Sequence, residues 1–161
     1  MKLEHPIDLI SAGDNHSIFA SSGAGKVYFA GNYKYMRGEK MAEPVRLPKL
    51  MDINDINNKK NNESKLTKVA SGSNHTVILI DGRVYVRGDP EAFTIGRKSM
   101  KRHRDIEKNS LTFEGVGLSS IVDVWCGGYH TIAKGKKGKG WAYYVWGLNR
   151  HGQLGLGNYD E

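Results

Sequence analysis

Cysteine is almost missing from this sequence. Cys126 stands alone among 161 residues, so no internal disulfide can form and zinc sites built on cysteine pairs are excluded. Long apolar runs are missing as well. Stretches such as Thr76 to Ile80 or Trp141 to Trp146 fall far short of the roughly 20 residues a membrane-crossing helix needs. The start of the chain, Met1 to Asp8, carries charge and a proline and has no apolar stretch of signal-peptide length, so the expectation is an intracellular protein without a membrane partner. Paired carboxylates and nucleophile–base sets at suggestive spacing are absent, which argues against covalent acid–base catalysis. What the sequence does have is glycine, 20 residues of it, and positive charge, a net +7. A hydrophobic fraction of 39% with 25% charged residues suits a folded domain. The basic balance suits an acidic partner, either nucleic acid or an acidic protein face.

The glycines are not scattered. Gly13, Gly72 and Gly127 each open the phrase Gly-x-x-His-Ser/Thr, in Gly13-Asp14-Asn15-His16-Ser17, Gly72-Ser73-Asn74-His75-Thr76 and Gly127-Gly128-Tyr129-His130-Thr131. They recur at 59 and 55 residues, a period that suits a propeller blade and is too long for helical-pair repeats. A second phrase follows each first one, with Tyr three residues before Gly: Tyr28 and Gly31, Tyr85 and Gly88, Tyr144 and Gly147. Between the phrases lie short runs rich in β-branched residues, 17–20, 76–80 and 131–133, which read as buried strands. Turn signals come next: Ser22-Gly23-Ala24-Gly25, Asp81-Gly82 and the longer stretch Lys134 to Gly140. Ile7 and Ile10, Leu66 and Val69, Ile121 and Val124 place a strand ahead of each glycine turn. A fourth edge strand, for instance over Pro44 to Leu47, would complete a four-stranded blade.

The third repeat ends in Trp146-Gly147-Leu148-Asn149-Arg150-His151-Gly152-Gln153-Leu154-Gly155. This resembles the closing phrase of the regulator of chromosome condensation repeat, Trp-Gly-x-Asn-x-x-Gly-Gln-Leu-Gly. The first two repeats have drifted: Gly88 and Gly96 keep the spacing of Gly147 and Gly155, whereas Gly31 and Gly38 stand one residue closer. The resemblance implies an all-β fold, three consecutive four-stranded blades of a seven-bladed β-propeller, with the chain a fragment of a longer one. It divides the chain into blade 1 (1–48), an Asn- and Lys-rich insert (49–65), blade 2 (66–97), a basic inter-blade loop (98–118) and blade 3 (119–161). An arc with two open sheet edges is expected to self-associate.

The run Met51 to Asn62 holds five asparagines among aspartates and lysines and reads as a disordered loop. Arg97, Lys98, Lys101, Arg102 and Arg104 crowd five positive charges into eight residues. They are the candidate contacts for chromatin, through DNA phosphates, or a nuclear-import signal, against the plain alternative of a solvated basic loop. Lys134 to Lys139 makes a second basic tip.

Ser22 to Val27 is a distant match to a phosphate-binding loop, but Ala20 stands where the first glycine belongs and Val27 lacks the metal-binding hydroxyl; it reads as a hairpin turn. His16, His75 and His130 fall in separate blades, where a repeated hydrogen bond to neighbouring backbone explains them better than a metal. No cofactor is expected. Cys126 and the aromatics Tyr28, Tyr85, Tyr144 and Trp146 read as core. The paired residues inside each Gly-x-x-His frame vary: Asp14 and Asn15, Ser73 and Asn74, Gly128 and Tyr129. Variation inside a fixed frame suits a surface role.

In relatives that promote nucleotide exchange on the small GTPase Ran, the resemblance implies that this face engages the GTPase and that the loop after Gly31 holds the place of a wedge. Asp14, Asn15, Tyr33, Lys34, Tyr35, Arg37, Ser73, Asn74, Gly128 and Tyr129 are therefore candidate GTPase contacts, with Asp14 an acid and Asn74 and Tyr129 neutral. The resemblance implies a nuclear or nucleocytoplasmic exchange factor that associates with chromatin. The alternative is an adaptor propeller within a larger protein, with no exchange activity.

Overall fold

The alternation of apolar residues in the second strand of each repeat dictates how the sheets stack. In the computed structural model, which describes residues 2–34, 42–51, 53, 56, 65–90, 94–96 and 112–160, eleven strands form three antiparallel sheets. Blade 1 holds β1 (Leu9–Ala12), β2 (His16–Ser21), β3 (Lys26–Gly31) and β4 (Val45–Leu50), in that order. Blade 2 holds β5 (Leu66–Ser71), β6 (His75–Ile80), β7 (Arg83–Gly88) and the short β8 (Glu114–Gly115). Blade 3 has three strands among the described residues: β9 (Ile121–Cys126), β10 (His130–Lys137) and β11 (Gly140–Gly147).

Blade 2 is the middle layer. Every residue of β6 is buried, and its side chains divide by the period of two that a strand imposes. Ile78 and Ile80 point into a cluster with Ile18, Val27 and Phe29 of blade 1. Val77 and Leu79 point the other way, into a cluster with Ile121, Val124 and Ala133 of blade 3. A run apolar on both faces is what a strand sandwiched between two sheets requires, and it accounts for the uninterrupted Val-Ile-Leu-Ile of this repeat.

The turns obey the expected chemistry. Asp81 and Gly82 adopt φ of 49° and 70°, the left-handed pair of a two-residue hairpin whose twist matches its strands. The segment Ser22 to Gly25 is a hairpin turn that joins β2 to β3. The third hairpin is tighter than its sequence suggests: β10 and β11 pair out to Lys137 and Gly140, and only residues 138 and 139 turn. Lys134 to Lys137 are thus strand, because their partners Gly140 to Tyr143 extend the ladder; Lys134 lies with its ammonium 4.2 Å from the Trp141 ring centre.

Two other expectations need correction. The Asn-rich insert is not polar throughout, since Met51 and Ile53 are buried in the first cluster and Ile56 packs against it. These three apolar residues supply the anchoring that the asparagine count conceals. The outer strand of blade 2 lies at Glu114–Gly115, inside the stretch read as an inter-blade loop, where it pairs with Tyr85 and Val86. The outer strand of blade 1 covers residues 45–50, slightly beyond the expected 44–47.

The glycine of each Gly-x-x-His frame is required by contact. A Cβ on Gly72 would stand 2.1 Å from Cε1 of His75 and 2.6 Å from the carbonyl oxygen of Gly127 in the next blade. Gly72→Ala is expected to cost about 3 kcal/mol or more in chemical denaturation, the overpacking cost of a site with nowhere to relax. Gly23→Ala, with nothing within 4 Å of the added methyl, should stay within about 0.5 kcal/mol.

Candidate protein-interaction face

The three Gly-x-x-His turns form one continuous rim. The amide of Asp14 donates to the carbonyl of Ser73 at 3.3 Å, and the amide of Ser73 to that of Gly128 at 2.8 Å. Each turn also holds the loop that leaves its own third strand: the amides of Asn32, Asp89 and Leu148 donate to the carbonyls of Asn15, Asn74 and Tyr129, each at 2.8 Å. The strand-ending glycines permit this approach. Gly31, Gly88 and Gly147 have φ of 98°, 126° and 108°, and any Cβ there would run into the same carbonyls.

Beneath the rim the histidines tie blade to blade. His16 Nε2 lies 3.0 Å from the Thr76 hydroxyl, and His75 Nε2 lies 3.0 Å from the Thr131 hydroxyl. The partner is therefore a side chain of the next blade, and the expected bond to backbone is replaced. The Nδ1 atoms of both rings are buried without a partner. We assign the ring proton to Nε2, so that each imidazole donates to its threonine and only a lone pair is left unmet. Burial holds His16 neutral with its pKa down at about 4, aided by the Arg87 guanidinium and opposed by Asp14. Burial pushes His75 to about 3, with His16 and His130 adding to the effect.

Around this tie the candidate contacts separate by exposure. Asp14, Asn15 and Gly128 are exposed and Tyr129 is half-buried. Ser73 and Asn74 are buried, because blade 2 has a neighbour on each side, and the Asn74 Oδ1 is occupied in accepting from the Lys34 amide at 2.9 Å. Tyr33 is 1% exposed, and its hydroxyl donates to Thr76 at 2.9 Å. It belongs to the inter-blade core, where burial raises its pKa, and it cannot meet a partner at the surface. Tyr35, Arg37, Arg97, Lys98, Lys101, Arg102 and Arg104 lie outside the described residues.

Three features escaped the sequence reading. Arg87 occupies the place that Trp146 holds in the third repeat, and its guanidinium carbon sits 5.1 Å from the ring centres of both Phe29 and Tyr33 and 5.7 Å from that of Phe113. Trp146 itself donates from Nε1 to the carbonyl of Thr94 in blade 2 at 3.0 Å. Asn149 is fully buried; its amide donates to the carbonyls of Asn158 and Asp160, and its Oδ1 accepts from the Leu154 amide at 3.0 Å. The repeat alignment carried the signal for Arg87, as a cation standing where an indole belongs. Cys126 lies against Thr131, and burial lifts its thiol pKa to about 12, which makes it an unreactive packing residue. No group of three metal-binding side chains forms among the described residues.

Stacked three- and four-stranded antiparallel sheets, tied blade to blade through recurrent turns, define a β-propeller arc. No family model matches the chain. Over 174 aligned residues it is 30% identical to the regulator of chromosome condensation of Xenopus laevis, covering 98% of this chain and 38% of that protein. It is 31% identical over 150 residues to the mouse E3 ubiquitin-protein ligase HERC2, covering 91% of this chain and 3% of the ligase. Among solved structures, Prp20p of Saccharomyces cerevisiae superposes with a TM-score of 0.78 at 22% identity, covering 98% of this chain and 34% of that one. Human WBSCR16 superposes with a TM-score of 0.75 at 24% identity, covering 99% and 40%. The chain is a partial propeller, and its repeats are those of the regulator of chromosome condensation family. It spans little more than a third of the frog relative.

Two outcomes are expected. Histidines held neutral in the folded state bind fewer protons than in the unfolded chain, whose histidines titrate near pH 6.5. Their contribution is complete above that pH and is lost as the pH falls toward the folded values of about 4 and 3. Unfolding free energy measured between about pH 7 and pH 5, above most carboxylate titration, should fall with acid, and His16→Asn with His75→Asn should flatten that slope. Tyr33→Phe should cost about 1 kcal/mol, as the loss of one buried hydrogen bond, and leave partner binding unchanged.

Proposed function

We propose that this chain contributes the partner-binding face of a regulator of chromosome condensation-like propeller that accelerates nucleotide release from a small GTPase of the Ran type and associates with chromatin. The observation that carries this reading is the rim itself. Asp14 and Asn15 at one end and Gly128 and Tyr129 at the other are displayed on turns whose backbones are hydrogen-bonded blade to blade, so the contact groups are preorganised. Exchange needs no covalent step. A face that binds the nucleotide-free GTPase better than the loaded one shifts its population toward release. The yeast neighbour Prp20p is described with its binding properties to Gsp1p and histones, which supports a GTPase and chromatin as partner classes. A nuclear setting follows from the same reading, with the basic cluster at 97–104 as the chromatin side.

The adaptor reading has its own support. Similar repeats occur in HERC2, a ligase far longer than this chain. The burial of Ser73, Asn74 and Tyr33 also leaves fewer exposed contacts on the rim than the sequence promised. The rate of labelled GDP release from purified Ran, with catalytic amounts of the protein, separates the two. Acceleration that Asp14→Ala reduces about tenfold or more, the loss of one charged contact, supports exchange through this face. No acceleration leaves an adaptor.

A further inference from the structure

The first inter-blade interface contains a charge that the fold does not explain. Arg87 lies in β7 with its guanidinium against the faces of Phe29, Tyr33 and Phe113. Rings stacked on a guanidinium offset part of its desolvation, but they take its flat faces and cannot accept from its in-plane N–H groups. Nε is buried with no hydrogen-bond partner. No carboxylate among the described residues lies within ion-pair distance. A half-buried cation with a buried Nε is stabilised by such a partner, because an unmet buried donor is costly.

The side chain also lines a cleft of about 160 Å³ beside β3 and β4. Phe29, Tyr33 and Met51 form its buried wall, and Glu43 and Lys49 stand exposed at its mouth. Asn32 also lines the cleft, with its side-chain amide donating to the carbonyl of Ala42. Hydrocarbon walls around one planar cation suit a ligand with a single planar anionic head on a short apolar stem. A phosphate dianion has three charged oxygens to satisfy, and Arg87 is the one cationic group on the inner wall.

We propose that this cleft is a carboxylate-binding site, in which Arg87 holds the carboxylate head through its N–H edge, Lys49 adds a second positive charge at the mouth, and the stem packs on Phe29 and Met51. Such a carboxylate is carried by a short-chain acid or by the side chain of a glutamate in a partner. The site is independent of the exchange role, since its lining includes none of the exposed rim residues Asp14, Asn15, Gly128 and Tyr129.

The test is titration of the 161-residue protein with sodium butyrate, followed by amide chemical shifts of residues around the cleft. Butyramide and inorganic phosphate serve as comparators, and an acetyl-Gly-Glu-Gly-amide peptide distinguishes a side-chain source from a free acid. Saturable butyrate shifts are expected, about tenfold weaker or more with butyramide and with Arg87→Met, as for loss of one charge-assisted pair. Arg87→Trp, which restores the residue that the third repeat carries here, should fold and also lose binding. Lys49→Met should weaken binding, and Glu43→Gln should strengthen it. Tighter binding of the peptide assigns the carboxylate to a protein partner; tighter binding of butyrate assigns it to a small acid. The proposal is overturned by the absence of saturable shifts, by equal binding to Arg87→Met or Arg87→Trp, by phosphate binding as well as butyrate does, or by binding that appears only in Glu43→Gln, which would make Glu43 the partner of Arg87.

Discussion

A hydrogen bond from the imidazole of one blade to the threonine hydroxyl of the next fixes the spacing of the whole arc. It forms only because the glycine three residues earlier has no side chain, so that the ring can lie against its backbone and still reach across. The same glycine brings the neighbouring carbonyl close enough for the turns to bond along the rim. One small residue thus sets ring position, blade separation and rim continuity together. The two hydrophobic clusters supply the larger share of cohesion, but they are non-directional. The His-to-Thr bonds select the register at which the sheets stack.

The two interfaces are built differently around that common tie. Between blades 2 and 3, Trp146 packs on Gly96 and reaches the Thr94 carbonyl, a half-buried contact with its polar atom satisfied. Between blades 1 and 2 the corresponding residue is Arg87, set against the rings of Phe29, Tyr33 and Phe113. Tyr33 completes that arrangement, sharing Thr76 with His16. Residues that sequence variation marks as surface contacts thus include some that a departure from the repeat has drawn into the interior.

The repeat phrases made the architecture legible. Gly-x-x-His and Tyr-x-x-Gly located nine of the eleven strands, because each phrase is itself a steric requirement of a turn or a strand end. The outer strands were harder to place. β8 is two residues long and has no apolar alternation to reveal it, and β4 runs through Pro48 and charged residues. Burial at the rim was not legible either. Asn74 and Asn15 occupy the same place in the repeat, yet one is covered and the other exposed, since blade 2 packs between two neighbouring sheets of the described residues. Met51 and Ile53 show the converse, a composition that reads as loop around side chains that pack.

The imidazole-to-threonine bonds all run the same way along the chain, from His16 to Thr76 and from His75 to Thr131. The stack therefore has a direction, like a polymer with distinct ends. A further blade on either side would continue the same sense: the His130 ring stands where it would donate to the hydroxyl of a following blade, and the Ser17 hydroxyl stands where it would accept from the histidine of a preceding one.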